Sequence, residues 1–148
     1  MKSLITIFLL YASICSSQTI DYNTKKGFAV NGYDIVAYFN NQAMEGNKNI
    51  VTEFDGINYK FISKENLNTF KRNPKKYLPQ YGGYCAYAIG SKGEKVNINP
   101  ETFEIKDGKL YLFYNAWGTN TLELWRNENT EELRKKANKA WEQIKFKK

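Results

Sequence analysis

Asp55-Gly56-Ile57-Asn58-Tyr59-Lys60-Phe61 and Asp107-Gly108-Lys109-Leu110-Tyr111-Leu112-Phe113 share one string, Asp-Gly-x-x-Tyr-x-Phe. Each Asp-Gly pair stands between alternating apolar runs, and glycine tolerates the positive φ that a two-residue hairpin turn demands. The spacing predicts two hairpins, residues 50–54 with 57–62 and residues 102–106 with 109–114. The repeated string reads either as an internal echo of one hairpin unit or as two similar turns followed by ordinary strand residues. Strands favour Tyr and Phe in any case, so the second reading is preferred.

Helices are expected around these hairpins. Ser63 is a good N-cap for a helix with Leu67 and Phe70 on its apolar side, ending before Pro74; Pro79 breaks any continuation. A helix over residues 119–126 would bury Leu122 and Trp125. At the far end, Asn129 followed three residues later by Glu132 resembles a capping box, and Leu133, Ala137, Ala140, Trp141 and Ile144 form one helical stripe. The fold class is therefore α+β: a small single domain with two β-hairpins, several short helices and a C-terminal amphipathic helix.

Residues 1–17 read as a secretory signal peptide, with Lys2, a mainly apolar run from Leu4 to Ile14, and small Ser16-Ser17 before a cut at Gln18. The run is shorter than the roughly 20 residues a spanning helix needs. Bulky Ile14 before Cys15 argues for plain cleavage over lipidation. The expected location is exported, periplasmic or extracellular. Without Lys2, 21 of the 22 Lys and Arg residues remain against 15 acidic ones. Much of the excess lies in Arg134, Lys135, Lys136, Lys139, Lys145, Lys147 and Lys148. These read as a solvated helix face with a basic tail, capable of weak contact with an anionic surface. No nucleic-acid motif is present.

The chain contains no histidine, which removes Ser-His and Cys-His nucleophile pairs, the two-histidine zinc protease helix and all imidazole metal ligation. No phosphate-cradling glycine loop and no paired carboxylates at acid–base spacing stand out, so the expectation is a protein that is not an enzyme. After signal removal Cys85 is the only cysteine, set in Tyr81-Gly82-Gly83-Tyr84-Cys85-Ala86-Tyr87-Ala88. Gly82-Gly83 permits a sharp turn into a short helix. That would put Cys85 in the first helical turn, where free amides and the helix dipole favour a thiolate. Cys85 is thus a metal ligand, a reactive thiol or a small buried hydrophobe. Tyr77, Tyr81, Tyr84 and Tyr87 flank it and line a cleft or a core, with Asp34 a candidate acceptor for their hydroxyls.

The chain resembles the YHS domain family, in the longer form found as a stand-alone exported bacterial protein. The resemblance rests on Gly32-Tyr33-Asp34-Ile35-Val36-Ala37-Tyr38-Phe39, Asp55 to Phe61, Asn73-Pro74-Lys75-Lys76-Tyr77-Leu78-Pro79-Gln80-Tyr81-Gly82-Gly83-Tyr84-Cys85-Ala86, Asn99-Pro100 and Asp107 to Leu112. It divides the chain into a signal (1–17), an N-terminal lead-in (18–31) and a YHS-like domain (32–148). It implies a module related to cysteine-bearing metal-handling domains that elsewhere accompany heavy-metal pumps and reductases, with the family's cysteine on Cys85. The chain departs from the pattern in lacking the signature histidine and any second mature cysteine. A lone thiolate cannot build a four-coordinate zinc site. The implied ion is soft, copper(I) for instance, held by Cys85 with other ligands or with Cys85 of a homodimer partner. Met44 is the only methionine left after the signal. The first functional expectation is a non-enzymatic soft-metal module. The alternatives are a redox or reactive-thiol protein, and a structural or ligand-binding module in which Cys85 is packing.

Overall fold

Both Asp-Gly pairs adopt positive φ at each of their two residues, 54° and 75° at Asp55-Gly56 and 52° and 69° at Asp107-Gly108. This is the twist that matches a right-handed strand pair. In the computed structural model, which describes residues 19–147, β1 (Thr24–Lys25) and β2 (Phe28–Ala29) precede the first long hairpin, β3 (Asn47–Phe54) with β4 (Ile57–Phe61). Then come α1 (Lys64–Arg72), α2 (Pro74–Tyr77), α3 (Ala86–Lys92) and the second hairpin, β5 (Asn99–Lys106) with β6 (Lys109–Phe113). A short ribbon, β7 (Asn115–Ala116) and β8 (Thr119–Asn120), leads into α4 (Thr121–Asn127) and α5 (Thr130–Ile144). The molecule is a small α+β domain, as its sequence pattern indicates. The signal segment and Lys148 lie outside the described residues. Within these, no helix is long and apolar enough to cross a membrane.

The lead-in belongs to the fold. β2 pairs antiparallel with β1 and parallel with β4, giving a four-stranded sheet in the order β1-β2-β4-β3. Ile20 bridges to Phe146, and the Asn23 side chain donates to the Gly83 carbonyl at 3.0 Å. The predicted caps also form: Ser63 Oγ accepts from the Asn66 amide at 3.1 Å, and Asn129 Oδ1 accepts from that of Glu132 at 3.2 Å. The Glu132 carboxylate turns instead to Lys136, at 2.8 Å.

The second hairpin divides the core. On β6, Leu110 and Leu112 face a cluster with Tyr38, Tyr59, Phe61 and Phe70, whereas Tyr111 and Phe113 face Trp125, Leu133 and Ala137. Alternation along a strand thus serves two cores at once. Each such fully buried side chain contributes about 1.5–3 kcal/mol. α3 and α5 close on each other at Gly90, where a Cβ would stand 2.7 Å from the Leu133 carbonyl oxygen.

The repeated string marks a repeated unit, which corrects the preference for two independent turns. In the first hairpin Asn47 pairs with Phe61 and the register then shifts to Val51 with Lys60; in the second, Asn99 pairs with Phe113 and shifts to Phe103 with Leu112. Each position is displaced by 52 (47 to 99, 61 to 113). Asn47 Oδ1 accepts from the amide of Asn49 at 2.8 Å, and Asn99 Oδ1 from that of Glu101 at 2.9 Å. Ahead of each hairpin lies a run of three left-handed residues, Val30-Asn31-Gly32 and Tyr81-Gly82-Gly83. Matching bulges, side-chain turns and entry turns do not follow from strand propensity alone.

Candidate functional site

Cys85 is not in the first helical turn. The left-handed Tyr81-Gly82-Gly83 run feeds an extended Tyr84 (φ −80°, ψ 164°), which delays α3 until Ala86 and leaves Cys85 as its N-cap, with no side-chain capping bond. The Cys85 amide donates to the Val96 carbonyl at 2.9 Å. None of the α3 amides expected to hold the sulfur donates to it.

Its surroundings are a closed circuit. The Tyr114 amide donates to Cys85 Sγ at 3.4 Å, and the Thr121 hydroxyl donates to the Tyr114 carbonyl at 2.8 Å. Thr121 has spent its single hydrogen, so the contact between Cys85 Sγ and Thr121 Oγ1 at 3.3 Å is made by the thiol hydrogen. Cys85 is 0% exposed.

Beside it opens a cavity of about 370 Å³, mainly apolar, lined by Cys85, Tyr87, Ala88, Val96, Tyr114 and Leu124, with Lys92 also in its wall. This is at the small end of ligand pockets, which run from about 300 to 1,000 Å³. Val96, Tyr114, Thr121 and Leu124 were not singled out in the sequence, because three separate elements contribute them. The one local signal was a threonine at the start of α4, facing inward.

The other expected cleft residues diverge. Tyr81 Oη donates to Asn138 Oδ1 at 2.9 Å, Tyr84 Oη to Asp21 Oδ2 at 3.1 Å and Tyr87 Oη to Glu128 Oε1 at 2.7 Å. Tyr77 is buried against Phe39. Proximity in sequence to Cys85 suggested one cleft or core, but the left-handed residues at 81–83 redirect the chain between the tyrosines. Only Tyr87 lines the Cys85 cavity; Tyr81 lines a different one, of about 460 Å³, with Asn138 and Trp141. Burial and then the Asp21 carboxylate push the Tyr84 phenol up to about 12. Tyr81 is also raised, chiefly by burial, and Tyr87 chiefly by its bond to Glu128.

Asp34 receives none of these hydroxyls. It is 0% exposed, and its carboxylate accepts from the amides of Val36 (2.8 Å), Ala37 (3.2 Å) and Ile62 (2.8 Å) and from Asn66 Nδ2 (2.8 Å). It fastens the first half internally.

The donor set at Cys85 does not fit a soft metal ion. Its polar neighbours are a hydroxyl and an amide N–H, and neither is a soft ligand. Among the described residues no three His, Cys, Asp or Glu side chains assemble as a metal site. Met44 lies on the loop before β3, where its carbonyl accepts from the Asp34 amide. Cys85 is buried at the cavity wall, so a second protomer's thiol meets it only if the groups around it move.

The basic C-terminal helix is partly neutralised. Arg134 pairs with Asp107 and Glu131, Lys136 with Glu132 and Lys145 with Glu142. Lys135, Lys139 and Lys147 have no carboxylate partner among the described residues. In comparisons with family models, with curated proteins and with solved structures, nothing matches the chain.

Proposed function

We propose that the chain is an exported, non-enzymatic binding module of the YHS kind, and that the cavity beside Cys85 takes a small, mainly apolar molecule. The observation that carries this reading is the cavity itself: about 370 Å³ of largely apolar wall, with exposed Leu124 and Lys92 on its solvent side and the buried, hydrogen-bonded Cys85 in its lining. Apolar area removed from water supplies the affinity, and the few polar groups set orientation. Cys85 then shapes the wall and holds Tyr114 and Thr121 in place, without reacting.

The test is a fluorescence titration with N-phenyl-1-naphthylamine, an uncharged apolar probe. Saturable enhancement is expected, about tenfold weaker in Ala88→Leu, which fills the cavity from its wall, and weaker in Leu124→Ser at its mouth. Cys85→Ala should keep binding. No saturable signal, or equal binding by Ala88→Leu and Leu124→Ser, would discard the reading.

A further inference from the structure

Lys60, on β4, is half-buried, and no carboxylate among the described residues reaches its ammonium. Its surroundings are built around it. A Cβ on Gly32 would stand 3.3 Å from Lys60 Nζ, and one on Gly46 would stand 2.4 Å from Lys60 Cβ. The ammonium lies 4.4 Å from the centre of the Phe28 ring. The absent side chain of Gly32 and the Phe28 ring thus leave room for the ammonium, and Gly46 lets the chain pass close to the Lys60 backbone.

The repeated unit shows that the fold does not require this lysine. The counterpart of Lys60 is Leu112, paired with Phe103 as Lys60 is with Val51, and it is wholly buried. The counterpart of Gly32 is Gly83, whose missing Cβ would meet Leu112 Cδ1 at 4.0 Å, just as Gly32 meets the Lys60 stem. The same scaffold position holds core leucine in one half and a clamped ammonium in the other. A half-buried ammonium with no carboxylate partner is available to an anionic one.

Lys60 lines a cavity of about 460 Å³ together with Lys25, Lys26, Asn31, Tyr33 and Glu45. Lys25 ends β1 and Lys26 opens the turn to β2, where Lys26 (φ 51°) and Gly27 (φ 81°) set the backbone, and neither lysine has a carboxylate partner among the described residues. Three lysines and one glutamate line it. We propose that this cavity binds the phosphate or sulfate ester of a hydroxyl-bearing small molecule. The ester oxygens meet Lys60, Lys25 and Lys26, and the hydroxyls meet Glu45 and Asn31. Glu45 repels a bare anion placed beside it and accepts from a hydroxyl, which favours an ester over the free ion.

The proposal is tested by amide-resolved NMR titration of the chain with glucose 6-phosphate, inorganic phosphate and glucose at low ionic strength. Saturable shifts at Lys26, Asn31 and Lys60 are expected with the sugar phosphate. Inorganic phosphate should bind several-fold more weakly, glucose should not bind, and added salt should weaken the complex. Lys60→Met, which keeps the stem, should lose about tenfold in affinity. Lys26→Gln, on an exposed turn, should lose several-fold and remains informative if the first variant does not fold. Absence of saturable shifts, or unchanged affinity in both variants, would overturn the site. Equal binding of inorganic phosphate would overturn the assignment to an ester.

Discussion

Asp34 and Cys85 occupy the same place in the two halves of the chain. The Asp34 amide donates to the Met44 carbonyl and the Cys85 amide to that of Val96, both at 2.9 Å. Each side chain then accepts from the residue just past its hairpin, Ile62 for Asp34 and Tyr114 for Cys85. A carboxylate with four donors fastens one half. A thiol with one amide donor borders the cavity of the other.

That difference sets an order of stabilities. Asp34→Ala strands the Val36 and Ile62 amides and the Asn66 side chain, while the Ala37 amide keeps the Asp34 backbone carbonyl, and is expected to cost about 3 kcal/mol in urea unfolding. Cys85→Ala removes one small group beside an existing cavity, and should cost about 1 kcal/mol.

Gly90→Ala is expected to force α3 and α5 apart, since the added methyl would stand 2.7 Å from the Leu133 backbone oxygen. The expected loss is about 1–3 kcal/mol by denaturant titration, while Gly93→Ala tests a different effect, positive φ (69°) at a helix end.

Trp117 is 96% exposed and holds φ 53° at the first position of the two-residue turn between β7 and β8. A bulky side chain is disfavoured there and asparagine is tolerated. Trp117→Asn should raise stability by about 1 kcal/mol, read as an upward shift of the melting temperature.

Alkaline pH should unfold the domain. Burial, followed by Asp55 for Tyr22 and Asp21 for Tyr84, pushes both phenols from 10.0 to about 12, so the fold favours their neutral forms. Their contribution is whole below pH 10.0 and is lost as pH rises towards 12. Tyrosinate absorbance followed alongside circular dichroism should show Tyr84 ionising earlier in Asp21→Asn.

Local chemistry was legible where one or two residues decide it. Asp55-Gly56, Asp107-Gly108, Ser63 and Asn129 announced their turns and caps, and the stripe from Leu133 to Ile144 announced α5. Lys26-Gly27 and Trp117-Gly118 make turns of the same handedness, yet lack the Asn or Asp that would have marked them. The left-handed Tyr81 sits where only the following glycines signalled a turn. It moved Cys85 out of the helix and scattered the tyrosines. The cavity beside Cys85 joins α3, the strand past β6 and α4, and no periodicity within one segment reports on such a meeting.

Ile20 pairs with Phe146, the Asp21 amide donates to the Lys145 carbonyl and the Lys147 amide to that of Thr19. The earliest described residues therefore find these partners only after the residues between them have been synthesised. A ribosome-bound nascent chain can close both hairpins while its first segment is still untethered, and the last seam joins only after the end of α5 has emerged.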